Sequence, residues 1–476
     1  MNVPRRARKT KIVATIGPAS WDAQTLERMI RAGADVIRIN TAHTAVEERY
    51  AIVRIIRAVA RETGCHVGIL QDLAGPKPRT GPAADGEAIM LERGALVRLT
   101  AGDDPLEPDR ISIDDPELVG ALGAGQRVLM SDGLIELIVT ARQGDSVTAR
   151  VVRGGRLRGR QGVTVPGVPA PARTLSATEA TDIAFAAEHD LEYLGVSFVT
   201  APADIIMVRD ELRRHGGRAA VVAKIERPEA LRAIHEISHV ADALMVARGD
   251  LGVQLQPEEV PIAQTHIIEV ARSHGKPVII ATQMLESMTS QPLPTRAETS
   301  DVAHAVLDGV DAVMLSGETA TGKYPVEAVE MMDRIARTVE TAFPVSPRPQ
   351  SDRADTIAST MARAASDLAR RSTLVNLIAV ITRSGYSARE VARERPAVPI
   401  VAVTNSEFVA NQLALVWGVE TVVMEFASDT ETLVHDIGEQ LVATGHAHPG
   451  MHALFVGSLT VYHEPGHVDV LHLRRL

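Results

Sequence analysis

Along the first two thirds of the chain, apolar residues fall into short, near-continuous runs separated by segments of helical periodicity. The runs lie at 11–16, 35–40, 67–72, 191–198, 220–226, 243–250, 277–283 and 311–318 and are rich in Val, Ile, Ala and Leu. Unbroken runs of that length suit strands covered on both faces. Helical spacing appears at 23–32, 46–62, 178–189, 204–215, 228–238, 258–274, 300–307 and, after the last run, 326–342. Eight strands alternating with helices predict an α/β fold, a closed (β/α)8 TIM barrel. A doubly wound open sheet would share the pattern and is the alternative.

The rhythm breaks once. From 72 to about 171 the sequence predicts no good helix. Ile135, Leu137 and Val139 alternate with polar residues, as do Val147, Ala149 and Val151, and Gly and Pro punctuate the segment. This predicts a small β-barrel over 74–171, inserted between barrel segments 1–73 and 172–343. An insertion in that βα loop sits at the mouth of the barrel, so a lid is expected; a decorative insertion is the alternative. The Pro-rich stretch 344–355 reads as a linker. Beyond it, strands at 377–382, 400–404, 421–424, 453–457 and 468–473, with helices at 356–370, 387–394, 408–418 and 430–444, predict a C-terminal α/β domain over 344–476 with a mostly parallel sheet. No fixed-period repeat or low-complexity tract is present.

A length of 476 residues fits about three domains. With 45% apolar and 23% charged residues, the composition is that of a folded globular protein. The net charge of −10 and the 3% aromatic content argue against a nucleic-acid partner, which would call for basic patches or stacking platforms. Cys65 is the only cysteine, so no disulfide can form within the chain. No apolar run approaches the ~18 residues of a membrane span, and 12–16 is too short for a signal-peptide core; a cytoplasmic, membrane-free protein is expected. Only six of the 50 basic residues are lysines: Lys9, Lys11, Lys77, Lys224, Lys276 and Lys323.

Barrel enzymes carry their chemistry at the C-terminal strand ends, and polar groups collect there. The second run ends Arg38-Ile39-Asn40, the third Gln71-Asp72, the fourth Ser197-Phe198 and the fifth Lys224-Ile225-Glu226. The sixth ends Arg248-Gly249-Asp250, the seventh Thr282-Gln283 and the eighth Ser316-Gly317-Glu318-Thr319. Residues two apart share a strand face, which pairs Arg38 with Asn40 and Lys224 with Glu226. A Lys beside a Glu is most simply an ion pair. Asp250 on the next strand adds a second carboxylate, and two carboxylates with an open side suit Mg2+ or Mn2+. Metal, Lys224 and Arg38 together point to an anionic phosphorylated substrate: phosphoryl transfer or metal-enolate chemistry.

Seven segments of the chain also form a recognisable series. They are TKIVATIGPAS (10–20), GPKPRTG (75–81), AKIE (223–226), MVARGDLGV (245–253), ATQMLESM (281–288), PTRAE (294–298) and MLSGETA (314–320). In this order they resemble the pyruvate kinase family, whose barrel, inserted β domain and C-terminal α/β domain agree with the predicted layout. The resemblance implies phosphoryl transfer from phosphoenolpyruvate to ADP, giving pyruvate and ATP, and a homotetramer. It implies that Glu226 and Asp250 hold the divalent metal, and that Lys224 and Arg38 contact the transferring phosphoryl group. Arg79 would approach the phosphates from the lid, Thr282 would lie near the enolate carbon, and Ser197, Gly249 and Asp250 would line the substrate site. Asn40 and His43, with Arg79, fall on the nucleotide side. A Mg2+-dependent lyase or aldolase on the same barrel, and a catalytically decayed sensor of phosphorylated metabolites, are the alternatives.

The departures from the family pattern are local. Of the family's potassium-site residues, Asn40 and Asp72 are retained, the Ser position is Ala42, and a Glu position is Lys77. A tethered ammonium can stand in for a monovalent cation, so activity without K+ is expected. Gln161, Thr164 and Thr200 replace residues usual on the nucleotide side, and the run 40–43 reads Asn-Thr-Ala-His. In the C-terminal domain, Thr382, Ser384, Gly385 and Ser387 sit between a strand and a helix. They match the family's loop for a phosphorylated effector; a helix start capped by Ser387 is the alternative. The stretch 457–466 departs from the family's effector loop. His446, His448, His452, His463, His467 and His472 lack metal-ligand spacing.

Overall fold

The computed structural model describes residues 8–144, 146–169, 173–343, 356–457 and 468–476. The expected linker, most of the 457–466 stretch, His463 and His467 lie outside them. Eight parallel strands close into a barrel: β1 Lys11–Thr15, β2 Val36–Asn40, β3 Gly68–Asp72, β4 Tyr193–Val196, β5 Ala220–Ile225, β6 Ala243–Ala247, β7 Val278–Ala281 and β8 Ala312–Leu315. Each pairs with its sequence neighbours, and β8 returns to β1 through Lys11 opposite Ala312. The open-sheet alternative is thereby excluded. Val13, Val36, Leu70, Val222, Met245, Ile279 and Met314 fill the interior. Ile12, Ile37, Ile69, Val221, Leu244 and Val313 pack outward under the helices. Both faces need apolar side chains, which is why the strands read as continuous runs rather than alternating ones.

Helix boundaries follow the caps. Ser176 and Thr295 each accept a hydrogen bond from the backbone three residues on, paired with Glu179 and Glu298. The helix expected from 300 therefore starts at Arg296. The helix expected over 228–238 is two, Pro228–Arg232 and Ile234–Val240. The sixth strand stops at Ala247, earlier than expected, because the chain turns directly into the short helix Arg248–Gln254. The eighth stops at Leu315, followed by the single turn Gly317–Ala320.

The inserted segment is all-β apart from one 3-10 turn and a helix the sequence did not predict. That helix, Pro116–Ala121, is short but properly signalled: Pro at its first position, and Asp115 accepting from the Leu118 N–H. Six strands order as Val163–Thr164, Arg127–Met130, Ile135–Gln143, Ser146–Arg153, Leu96–Ala101 and Arg110–Ile113, beside a two-stranded ribbon of Gly155–Leu157 and Ile89–Leu91. The expected small barrel is an open sheet whose two edges meet only through single bridges, Arg79 with Gly162 and Thr80 with Ile113. The entry segment 79–80 thus ties the lid sheet together just where it leaves β3.

The C-terminal sheet orders as Val419–Val423, Ile400–Thr404, Leu377–Ile381, His452–Gly457 and Val470–Arg475, parallel but for the last strand. It docks under the N-terminal ends of the barrel strands. Lys11 Nζ donates to the Val419 carbonyl at 2.7 Å, Arg395 pairs with Asp311 at 3.1 Å, and the Tyr193 hydroxyl donates to the Gln412 carbonyl. The mouth at the opposite strand ends is left to the inserted segment. No helix among the described residues is long and apolar enough to cross a membrane.

Candidate active site

The strand ends place a compact charged cluster inside the mouth. Lys224, one residue before the end of β5, lies 3.1 Å from Asp72 Oδ1 and 2.9 Å from Glu226 Oε1, and donates to Ser197 Oγ at 2.7 Å. Arg38 reaches the other oxygen of Asp72, from Nη2 at 2.7 Å and from Nε at 2.8 Å. Its Nη1 donates to Thr15 Oγ1 at 3.1 Å. Asp72 therefore stands between the two cations and holds both toward the mouth. Ser197 Oγ donates to the Leu73 carbonyl, and the Phe198 N–H donates to Glu226 Oε2 at 2.6 Å.

Burial and pairing pull on these groups in opposite directions. Desolvation alone would raise Asp72, but Lys224 and Arg38 override it and hold the carboxyl below its ordinary value. Desolvation would lower Lys224, but Asp72 and Glu226 raise it, so the ammonium stays charged. Glu226 ends differently. Its burial, with Asp250 and Asp72 adding negative charge, outweighs Lys224, and the carboxyl is pushed up to about 7.

Lys77 closes the site from the lid side. Its Nζ lies 2.5 Å from Asp250 Oδ1 and 3.3 Å from Asp132 Oδ1, and 5.9 Å from the centre of the Phe198 ring. Burial works to lower this ammonium, and Asp250 more than compensates, so its pKa is raised. Gly162 permits the approach: a Cβ there would lie 2.4 Å from Lys77 Cε.

The turn after β7 carries the third group. Thr282 and Gln283 sit in the left-handed region, at φ 69° and 55°. A β-branched residue rarely adopts that conformation, so surrounding contacts must hold it. Thr282 Oγ1 accepts from the Gly249 N–H at 2.8 Å and donates to the Ala281 carbonyl at 2.6 Å. The Arg248 guanidinium grips the same turn through the Thr282 and Gln283 carbonyls and pairs with Asp301 at 2.7 Å.

Not every polar strand end faces the mouth. Gln71 donates to the Asp182 carbonyl behind the barrel wall. Glu318 is fully buried and accepts from the Leu285 and Ser316 N–H groups. The expectation that all these ends point into one site is corrected for Gln71, Arg248 and Glu318, which brace loops instead. Asn40 Oδ1 accepts from the Ala42 N–H in its own loop. Of the potassium-site positions, Asn40 stands opposite Asp72 in the strand register, and Lys77 reaches Asp250 from the lid side. Arg79 donates to the Arg160 carbonyl at 3.0 Å within the lid. Partial desolvation, then the fields of Arg79 and Arg38, hold the His43 imidazole below its ordinary value, so these three groups share one side of the mouth. Two partners were not read from the sequence. Thr15 stands opposite Arg38 in the strand register, a polar residue ending an apolar run. Asp132 lies in a lid turn with no local signal for its partner.

The donors available to a metal fit a hard divalent cation. Glu226 and Asp250 offer only oxygens, and each now rests against an ammonium, Lys224 and Lys77 respectively. Mutual repulsion contributes to the raised Glu226 carboxyl, and a cation bound between the two carboxylates would relieve it.

In the C-terminal domain the turn after the 377–381 strand is capped differently from the Ser387 alternative. Gly385, at φ 76°, precedes the helix Tyr386–Arg393, and its N–H donates to Thr382 Oγ1 at 3.0 Å. Ser387 is buried within the first turn of that helix.

Family comparison agrees with this arrangement along nearly the whole chain. The model for the pyruvate kinase barrel domain matches residues 7–329, and that for the pyruvate kinase alpha/beta domain matches residues 355–473. The chain belongs to the pyruvate kinase family. It is 39% identical over 458 residues to a pyruvate kinase of Methylorubrum extorquens, covering 96% of this chain and 95% of that one. A pyruvate kinase of Mycobacterium intracellulare is 38% identical over 473 residues, covering 99% of each. Among solved structures, a pyruvate kinase from Cryptosporidium parvum superposes with a TM-score of 0.89 at 31% identity, covering 98% of this chain and 96% of that one. The chain is a phosphotransferase of this family, and the lyase and sensor alternatives fall away.

Proposed function

We propose that the enzyme transfers the phosphoryl group of phosphoenolpyruvate to ADP, giving pyruvate and ATP. The observation that carries this reading is Lys224, held between Asp72 and Glu226 beside Arg38 at the mouth of the barrel. Two fixed cations there suit a substrate phosphate whose equatorial oxygens gain charge during transfer. The bond from phosphorus to the enol oxygen breaks as a terminal phosphate oxygen of ADP bonds to phosphorus. Lys224 lies where it can follow the phosphoryl group between the two oxygens. The enolate left behind takes a proton at its terminal carbon, on the side of the site where the Thr282 hydroxyl lies; Thr282 or water delivers it. The Gly249 N–H and the adjoining backbone would meet the substrate carboxylate, with Ser197 setting the position of Lys224.

Glu226 and Asp250 would hold Mg2+ or Mn2+, which would neutralise the substrate's carboxylate and phosphate when bound. Lys77 already supplies a positive charge beside Asp250, and we read it as the reason this enzyme needs no K+. Arg79, Asn40 and His43 would receive the nucleotide. Thr382, Ser384, Gly385 and Ser387 would cradle the phosphate of an allosteric effector, in a cytoplasmic homotetramer. Tight effector binding that survives Ser384→Ala and Ser387→Ala together would refute that last assignment. The reaction is tested by following pyruvate from phosphoenolpyruvate and ADP, where ATP appearing in equal amount supports the reading. Pyruvate without ATP would overturn it.

A further inference from the structure

The helix Val46–Thr63 begins directly after the loop 41–45 at the mouth, and Arg49 is the charged residue that it turns inward. Arg49 is 3% exposed, whereas Arg54 and Arg61 on the same helix lie in solvent. A guanidinium withdrawn from water is costly unless it is paired and hydrogen-bonded. Arg49 is both. Its Nη1 pairs with Asp182 Oδ1 at 2.5 Å, its Nε donates to the Thr44 carbonyl at 2.9 Å, and its Nη2 donates to the Thr41 carbonyl at 3.1 Å. Asp182 is itself buried, on the helix Ala177–Glu188, and its backbone carbonyl accepts from Gln71 at 2.6 Å. Tyr50 meets Phe185 of that helix edge-on, with ring centres 5.0 Å apart. The carboxylate that anchors Arg49 is therefore fixed in place.

Two of the three groups that Arg49 holds belong to the backbone of one loop. That loop is also tied at its start, where the Thr41 N–H donates to the Asp72 carbonyl and Thr41 Oγ1 accepts from the Ala74 N–H, both at 3.1 Å. Between Thr41 and Thr44, Ala42 and His43 stand exposed. Their N–H groups turn back to Asn40, that of Ala42 to Oδ1 and that of His43 to the carbonyl. Arg49 thus clamps both ends of an exposed tip that carries His43 and leans on Asn40. Only a planar fork can reach a carboxylate and two carbonyls together; an ammonium would keep the carboxylate and lose the fork.

We propose that Arg49 is a positioning residue for the nucleoside diphosphate: by clamping the Thr41 and Thr44 carbonyls it holds Asn40 and His43 where the nucleotide is received. The inference rests on the reaction proposed above and names the part of the chain that sets its nucleotide affinity. Asp182 is the anchor and Gln71 braces the anchor, which gives that strand end a part in the site from behind the barrel wall. Lys224 and Arg38 are held by Asp72, Glu226, Ser197 and Thr15, with no side-chain bond through Arg49. Nucleotide affinity therefore depends on Arg49, and phosphoenolpyruvate affinity does not.

Arg49→Lys tests this, because it keeps the charge beside Asp182 and gives up the fork. KM for ADP should rise by about tenfold, while KM for phosphoenolpyruvate stays within about twofold and kcat at saturating ADP falls by less than KM rises. Hydrogen exchange should quicken over 41–45 and stay as in the parent over the strand Ala220–Ile225. Asp182→Asn keeps an acceptor oxygen and removes the charge; it should move KM for ADP the same way by less, which keeps the test valid if Arg49→Lys folds poorly. Arg57→Lys alters the same helix where it pairs with Glu192, at the far end of the barrel, and should change neither KM. Titration calorimetry with ADP and Mg2+ reads the difference between parent and Arg49→Lys without turnover. A parent that binds ADP and makes no ATP would therefore refute the reaction, and the calorimetric difference would still decide the role of Arg49. Equal ADP affinity in parent and Arg49→Lys, or KM values for both substrates rising together, would overturn the proposal.

Discussion

In the proposed mechanism Lys224 concentrates the chemistry in one side chain, and its pairs with Asp72 and Glu226 carry much of the electrostatic balance of the site. Replacing it with Met removes the cation expected on the phosphoryl group in flight, and turnover should fall by about 10³-fold or more. It also leaves Glu226 with no cation and Asp72 with Arg38 alone, so the metal-free variant should lose about 3–5 kcal/mol of stability, read by denaturant unfolding. The raised Glu226 carboxyl gives a second expectation with a definite sign. A metal binds the ionised form, and with the carboxyl pushed up to about 7, that form is scarce below neutrality. Apparent Mn2+ affinity should therefore rise with pH up to about 7 and level off above it, with close to one proton released per ion at pH 6. Calorimetry in two buffers of different ionisation heat measures this; an affinity flat from pH 5.5 to 8 would contradict it. The pairing of Lys224 with Glu226 was legible because charged residues two apart at the end of an apolar run share one face. Gln71 and Glu318 looked the same on paper. A carboxylate or amide beside a strand end can equally turn back to satisfy buried backbone groups, and no spacing distinguishes the two uses.

The strands were easier to place than the turns that follow them. Both faces of each barrel strand are buried, so the apolar run marks the strand directly. Its end is set by what the next residues bond to, and at Ala247 and Leu315 the chain turns into a helix earlier than the run suggests. The turn after β7 holds Thr282 at φ 69° through its hydroxyl and the grip of Arg248. Thr282→Val keeps the shape but deprives the Gly249 N–H of its acceptor, at about 1–3 kcal/mol. It should lower kcat/KM well beyond tenfold, whereas Thr282→Ser should stay within a few-fold of the parent; equal activity in the two variants would show that the hydroxyl is idle. The lid's entry segment carries Lys77 to Asp250 across a gap that sequence spacing cannot express, since the partners are 173 positions apart. Lys77→Glu places a third carboxylate beside Asp250 and Asp132, and we expect that variant, unlike the parent, to require K+ in a K+-free and Na+-free assay.

The three parts of the molecule meet on two faces of one barrel. The lid covers the C-terminal strand ends, and the C-terminal domain is fastened beneath the N-terminal ones. Arg395 is the main fastening: almost fully buried, it pairs with Asp311, donates to the Gly309 carbonyl and stacks on Trp417 at 4.5 Å. Arg395→Ala leaves the buried Asp311 without its cation, a loss of about 3–5 kcal/mol. Calorimetric unfolding should then separate into two transitions as the C-terminal domain melts apart from the barrel, and an unshifted melting profile would contradict this. The layout of barrel, insertion and C-terminal sheet was legible from the change of period along the chain. The docking was not, because it rests on side chains such as Lys11, Tyr193 and Arg395 that carry no local pattern.

The most direct test of the account is pyruvate and ATP formation from phosphoenolpyruvate and ADP with Mg2+, measured with and without K+ and alongside Lys224→Met. The account predicts equal amounts of both products, no need for K+, and a collapse of turnover in the variant. A parent enzyme inactive with every nucleoside diphosphate, or a Lys224→Met variant that turns over like the parent, would contradict it.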